Sequence, residues 1–388
     1  MMVRYGLFRR QSLLMRAPVF LLALVLVACV SQATERDNVE RVVAVGDLHG
    51  DYNQFVAVLE EANIIDSRQR WKGGETHLVQ IGDAPDRGPD TDKIIALLKA
   101  LERQAKKAGG EVHALIGNHE AMNMSGDLRY VHPGEYAAFV DRRSRKRQTD
   151  YYRRSVEFIK NNQPEEQWPA FDKAHREAFN KKYPLGYVEH RSAWSPGGEI
   201  GQWVLEHDAV VRVNDSLFVH GGIAPDQPLL PVEQINQQVR EALQNAATSN
   251  SETIIDSPQG PLWYRGLAVM DETAENEALL DKMLAFYGVK RIVIAHTPVV
   301  RTILPRFSGK VILADVGLAA YYGGARASLV IDDTGPYALL AGERVDLPAK
   351  DQGVDALVAY LRAAAAQMPD PSGTLQYIDR LLNPDNGQ

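Results

Sequence analysis

The stretch VVAVGDLHG, residues 42–50, decides the fold class. Val42, Val43, Ala44 and Val45 are apolar and mostly β-branched, and the run stops at Gly46, as a short buried strand does. An aspartate and a histidine follow, two residues apart, between glycines that permit a sharp turn. Phe55, Val58, Leu59 and Ala62 then repeat at helical spacing. The unit recurs downstream. HLVQI (77–81) stops at Gly82-Asp83, a helix over 91–105 carries Ile94, Ile95, Leu97, Leu98 and Leu101, and EVHALI (111–116) stops at Gly117. Strand, helix, strand, helix, strand is an α/β pattern, which gathers ligands at the carboxyl ends of its strands.

Beyond it, residues 125–200 are polar and aromatic and read as a helical insertion, with a basic run at Arg142, Arg143, Arg145, Lys146 and Arg147, then Arg153 and Arg154. That run is read either as a solvated helix face or as a contact for substrate or membrane phosphate. Strands return at 209–213 and 217–219, joined by Asn214-Asp215-Ser216, and again at 292–295, 310–314, 327–331 and 337–340. The last two flank Asp332-Asp333-Thr334-Gly335, a hairpin turn. Helices are expected over 232–246, 275–287, 354–365 and 374–382. The late strands read as a second sheet packed on the first. The sum is one α/β/β/α sandwich domain over 41–345, with the insertion at about 125–200 and a helical extension over 346–388.

The 388 residues are 45% hydrophobic and 24% charged, enough for a real core and too apolar for disorder. Net charge is -7, which argues against a general nucleic-acid binder. A single cysteine, Cys29, rules out an intrachain disulfide and a Cys-rich metal knuckle. Arg4, Arg9, Arg10 and Arg16 precede the apolar run APVFLLALVLVA (17–28). That run is too short for a stable span of about 30 Å of hydrocarbon but suits a signal peptide. Leu26-Val27-Ala28-Cys29 resembles a bacterial lipobox. The resemblance implies a signal peptide over 1–28, acylation of Cys29, a polar tether over 29–40, and a periplasmic protein held to a lipid bilayer. Val30, rather than Asp, favours the outer membrane over the inner. Simple export or anchoring is the alternative.

Six segments carry the chemistry: GDLHG (46–50), GDAPDRG (82–88), GNHE (117–120), VHGGIAPD (219–226), WYRG (263–266) and IAHTP (294–298). Carboxylate, imidazole and amide donors suit manganese, iron or zinc better than calcium or copper. Two ions about 3.5–4 Å apart share a ligand and clamp a phosphoryl group between them. Single histidines in such positions are ordinarily core or turn residues; the order of the segments, each at a strand end, is what argues otherwise. His77 and His113 lie inside strands and read as core. His132, His175 and His190 read as surface residues of the insertion, and His207 as structural or as support for the site. Gly197-Gly198 and Gly323-Gly324 read as turns.

In their order these segments resemble the calcineurin-like metallophosphoesterases. More narrowly they resemble the phosphoprotein phosphatase group and its bacterial-type Shewanella-like branch, over residues 42–341. The resemblance implies two mixed sheets and two divalent or trivalent metal ions, of manganese, iron or zinc. It implies that Asp47 and His49 bind one ion, that Asp83 bridges both, and that Asn118, His220 and His296 bind the other. It implies that His119 protonates the leaving oxygen, that Asp86 orients His119, and that Arg87 and Arg265 grip phosphoryl oxygens, as guanidinium forks do. Attack would come from a metal-bridging hydroxide without a phosphoenzyme. Two departures stand out. Ala84-Pro85 replaces the Tyr-Val of the eukaryotic members, and Asp315 falls where those members place a tyrosine beside the metals. The expected activity is hydrolysis of phosphotyrosine, phosphoserine or phosphothreonine in proteins. The alternatives are small phosphoesters (nucleotides, sugar phosphates, diadenosine polyphosphates) or a non-catalytic surface lipoprotein.

Overall fold

The computed structural model describes residues 34–246, 251–349 and 352–383. The expected signal peptide, Cys29 and the first residues of the tether lie outside the described residues. Among the described residues no helix is long and apolar enough to cross a membrane.

The chain opens with β1 (Glu35–Arg36), then β2 (Val42–Val45), α1 (Tyr52–Glu61), β3 (His77–Gln80), α2 (Thr91–Ala108) and β4 (Glu111–Ala114). Asp51 caps α1 by accepting from the Gln54 N–H at 3.1 Å, and Gly109 ends α2 in the left-handed conformation. Helices α3 (Asn118–Ser125), α4 (Pro133–Ala138), α5 (Ser144–Asn162), α6 (Lys173–Lys182), α7 (Tyr187–Ala193) and α8 (Glu199–Leu205) follow without an intervening strand. Then come β5 (Val210–Val213), β6 (Ser216–Val219), α9 (Val232–Asn245), α10 (Gly266–Val269), α11 (Ala274–Tyr287), β7 (Arg291–Ile294), β8 (Leu304–Arg306) and β9 (Val311–Leu313). The chain closes with β10 (Ala327–Asp332), β11 (Gly335–Leu340), β12 (Glu343–Asp346), α12 (Gly353–Ala365) and α13 (Ser372–Leu382).

Two mixed six-stranded sheets result, ordered β12-β11-β10-β2-β3-β4 and β1-β5-β6-β7-β9-β8. Val43, Leu78, Phe218, Val293 and Ile312 belong to one buried apolar cluster that spans both sheets, and helices flank them. This is the α/β/β/α sandwich. In the first sheet β2, β3 and β4 run parallel with Val45, Gln80 and Ala114 level. In the second, β6, β7 and β9 run parallel with Val219, Ile294 and Leu313 level. Within each sheet the loops after the three strands therefore leave at matching heights, which brings distant segments of the sequence together.

Three strands differ from the sequence expectation. Residues 35–36, read as tether, form β1, pairing parallel with β5, and Asn214 bonds Val39 on both its N–H and C=O. A two-residue polar strand has no periodicity to betray it. Strand β8 contains Pro305 at a sheet edge, the place where a strand tolerates proline, and β12 is a polar, exposed edge strand. The late strands also divide. Strands β7 to β9 join the second sheet, whereas β10 to β12 extend the first through antiparallel pairing of β10 with β2. In the insertion, His190 is wholly buried rather than on the surface, because Tyr136, Phe139 and Trp194 close around its ring at 5.1–6.1 Å.

Candidate active site

Asp47, His49, Asp83, Asn118, His119, His220 and His296 are all buried, at one rim of the two sheets. Their backbone is bent to put them there. His49, Asp83, Asp86, Arg87 and His296 all have φ between 45° and 74°, a conformation uncommon for non-glycine residues and typical of functional sites. The Asp83 carbonyl accepts both the Leu48 and His49 N–H at 3.0 Å, which ties the first loop to the second. Gly82 makes the approach possible: a Cβ there would lie 2.7 Å from the Gly117 Cα and 2.8 Å from His220 Nδ1.

Asp83 is the hub. Its Oδ2 lies 3.3 Å from His220 Nε2, 3.8 Å from His119 Nε2 and 3.9 Å from His49 Nε2, while its Oδ1 accepts the His119 backbone N–H at 2.9 Å. On one side Asp47 Oδ2 is 3.5 Å from His49 Nε2. On the other, Asn118 Oδ1 is 3.0 Å from His220 Nε2, and His220 Nδ1 donates to the Ile81 carbonyl at 2.7 Å. That bond fixes the tautomer and leaves Nε2 facing Asn118 and Asp83. His296 Nε2 is buried with no hydrogen-bond partner, while the His296 backbone N–H donates to Asp47 Oδ1 at 3.1 Å.

This donor set fits two ions. Two clusters, His49/Asp83/His119 and Asp83/His220/His296, each keep their ligand atoms within 4.8 Å and share Asp83. The orphaned His296 nitrogen is the kind of buried polar atom a metal ion satisfies. The charges agree. Burial opposes a proton on His220, yet Asp83 and Asp47 push it up to about 10. His49 rises to about 9 against burial, through Asp47 and Asp83. Burial, then His220, pushes His296 down to about 3. Without ions the carboxylates thus draw protons onto imidazoles, which is the cationic charge that metal ions supply in their place. His119 satisfies the distance criterion for the first cluster but is placed differently from Asp47. Its Nδ1 is held at 2.5 Å by Asp86 Oδ2, and Asn123 Nδ2 donates to the other Asp86 oxygen at 3.0 Å.

The arginines flank this group. Arg87 lies between the rings of Tyr130 and Tyr321, with its guanidinium carbon 3.7 Å and 5.1 Å from their centroids. Arg265 Nη1 donates to the His296 carbonyl at 2.9 Å and to Thr297 Oγ1 at 3.0 Å. Both arginines line a pocket of 90 Å³ with Asp47, His49, Asp83, Asn118, His296, Asp315 and Tyr322. Asp315 therefore does reach the site, but a tyrosine stands there too: the Tyr322 ring is 5.2 Å from His49. The Ala84-Pro85 departure leaves the loop intact, since the Pro85 carbonyl faces His49 Nδ1 at 3.2 Å.

Glu120 has a part that was not assigned from the sequence. Its two oxygens accept the N–H groups of Gly117, Asp83 and Ala84 at 2.8, 3.0 and 2.8 Å, locking two ligand loops together. Burial, and then Asp83, raises its carboxyl to about 7. Its place in GNHE was the available signal. His207 stands apart from this group, bonded to the Trp203 carbonyl at 2.6 Å and to Glu102 at 3.1 Å. Trp263 and Arg265 also border a second, larger cleft of 810 Å³, walled by Met122, Asp127, Arg129 and Tyr264. Among the described residues, none of Arg142, Arg143, Arg145, Lys146, Arg147, Arg153 and Arg154 lines either space.

Residues 40–300 match the family model described as calcineurin-like phosphoesterase. The chain is 33% identical over 299 residues to an uncharacterised protein of Schizosaccharomyces pombe, covering 75% of this chain and 76% of that one. It is 31% identical to Shewanella-like protein phosphatase 2 of Arabidopsis thaliana, covering 74% and 73%. A crystal structure of the cold-active protein-tyrosine phosphatase of a psychrophilic Shewanella species superposes with a TM-score of 0.59 at 29% identity, over 81% of this chain and 82% of that one.

Proposed function

The chain belongs to the calcineurin-like phosphoesterase family, and on that premise we propose that it is a dinuclear metal-dependent protein phosphatase that hydrolyses phosphotyrosine, phosphoserine or phosphothreonine esters. Asp47, His49 and Asp83 hold one ion, and Asp83, Asn118, His220 and His296 the other. The mixed carboxylate, imidazole and amide donors favour manganese, iron or zinc. Bound there, such ions activate water at neutral pH and offset charge on phosphoryl oxygens.

The chain's own residues do the rest. Arg87, stacked between two tyrosines, and Arg265, braced on the His296 loop, hold the phosphoryl oxygens. His119, its Nδ1 held by Asp86, presents Nε2 beside the metal ligands, 3.8 Å from Asp83 Oδ2, and from there would protonate the leaving oxygen. Asp86 fixes the His119 tautomer, and Asn123 aims Asp86.

The observation that carries the protein-phosphatase reading is the junction of two spaces. The pocket of 90 Å³ suits a phosphoryl group and little more, while the adjoining cleft of 810 Å³ shares Trp263 and Arg265 with it. A peptide segment fits that open cleft once its phosphorylated side chain has entered the pocket. Metal-loaded protein should show higher kcat/KM on phosphopeptides than on nucleotides or diadenosine polyphosphates. The reverse ranking would assign it to small phosphoesters.

We further propose export and acylation at Cys29, supported by the arginine-rich start, the apolar run 17–28 and Leu-Val-Ala-Cys. Several acyl chains, each CH₂ contributing about 0.8 kcal/mol, make a firm anchor. Cys29→Ser should release the protein from the membrane fraction of a bacterial host with loss of the lipid mass. Retention in that fraction at unchanged mass would exclude acylation.

A further inference from the structure

The ligand loops leave β3 and β4 at their carboxyl ends, and the strands themselves carry a second set of donors that starts at their opposite ends. His77 opens β3 and Glu111 opens β4, and the two are direct register partners. His113, two residues beyond Glu111, returns to the same face of the sheet. Three side chains are thereby aligned by strand geometry alone. His77 Nδ1 lies 3.0 Å from His113 Nε2, Glu111 Oε2 lies 4.0 Å from the same His113 nitrogen, and the ligand atoms of all three fall within 4.8 Å of one another.

The sequence alone assigned both histidines to core packing, and they are indeed largely buried: His77 is 8% exposed and the His113 side chain 8%. Their facing nitrogens share one hydrogen bond, and an ion between the rings would take the place of that shared proton. Glu111 is the more open member, and its position is set by Arg36, whose Nε and Nη2 each donate to a different carboxylate oxygen at 2.6 Å. A ligating carboxylate ordinarily carries such an outer partner. His207, nearby, is already committed to Glu102 and the Trp203 carbonyl.

We propose that His77, Glu111 and His113 form a third metal site, separate from the catalytic pair, for a divalent ion of the zinc class. Two imidazoles and one carboxylate are zinc-type donors and too nitrogen-rich for magnesium or calcium. Nitrogens bound tetrahedrally at 2.0–2.1 Å lie about 3.3 Å apart, a small widening of the gap between these two rings. Water completes the tetrahedron on the open Glu111 side. The ion would join β3 to β4 and, through Arg36, tie β1 of the other sheet to the same point.

The test compares wild type with His113→Asn and with Glu111→Gln, each checked for native circular dichroism. Each protein is loaded with zinc, dialysed and measured by elemental analysis. His113→Asn should hold one ion fewer per chain than wild type and keep its phosphatase activity, and Glu111→Gln should bind that ion at least 10-fold more weakly. Because the readout is a difference of one ion, it stands even if the catalytic centre loads incompletely or the substrate class is wrong. Cobalt gives a second reading: Asp83→Asn, with its catalytic centre disabled, should still take up one cobalt with the intense visible absorption of a tetrahedral site. Equal zinc content in wild type and both folded variants, or no tetrahedral cobalt in Asp83→Asn, would overturn the proposal.

Discussion

The metal rim and the helical insertion are built on opposite terms. At the rim, short loops hold strained residues, and buried bonds pin their side chains: Asp83 by the His119 backbone N–H, His220 by the Ile81 carbonyl, His119 by Asp86. In the insertion, α5 is a long helix with Ser144 its one buried residue, and its ion pairs include surface pairs such as Arg153 with Asp150. Surface pairs typically contribute under about 1 kcal/mol. The insertion nevertheless reaches the site at its start, where Tyr130 stacks on Arg87 and Arg129 borders the cleft. Function is thus concentrated where the backbone is constrained, and the conspicuous basic run lies away from it.

The sharpest way to break this contrast is Asp83→Asn. Removing the carboxylate shared by both clusters should empty the catalytic centre and drop aryl phosphate turnover to the level of metal-stripped protein, read by elemental analysis and steady-state kinetics. Full activity with one catalytic ion or none would mean the hub is not the centre of the site.

His119→Asn should come next. Both ions should remain, while kcat falls roughly 10²- to 10⁴-fold, the usual contribution of a general acid. The loss should shrink for an aryl phosphate with an acidic phenol. An equal loss on good and poor leaving groups would recast His119 as a positioning residue.

Glu120→Ala tests whether the constrained loops depend on one acceptor. Three buried N–H groups would lose their partner, at about 1–3 kcal/mol for each left unsatisfied. Thermal unfolding should shift downward and metal affinity should weaken together. A shift in neither would show that the loops hold without it.

The smallest effect is expected from the insertion. Neutralising Arg142, Arg143, Arg145 and Lys146 together should change kcat/KM on an acidic phosphopeptide less than about twofold at 0.15 M salt, where fields fade over about 8 Å. A large, salt-dependent loss would bring the basic run back into substrate recognition and blur the contrast between the two regions.

Much of the rim was legible because its information is local. Gly-Asp-Leu-His-Gly puts two donors two residues apart after an apolar run, and Gly-Asn-His-Glu starts a helix where a strand ends; spacing and turn residues suffice to read either. Glu120 was harder, since its partners Asp83 and Ala84 lie far back in the chain and only the fold brings their N–H groups to it. Tyr322 was missed for the same reason: it reaches His49 through a loop whose path no periodicity encodes. The basic run stayed open between two readings, because charge density is visible in a sequence while its distance from a pocket is not.

By itself, the sequence determined the α/β order, the apolar strands with their glycine stops, the helical spacing and the donor types, because each is a property of neighbours along the chain. Tertiary structure alone decided that β10 to β12 complete the first sheet while β7 to β9 build the second, and that β1 recruits residues from the expected tether. It alone decided that Asp83 faces three histidines, and that His77, Glu111 and His113 meet on one face of β3 and β4. Strand partners and register are set by burial and pairing summed over the whole molecule, and no local segment carries that sum.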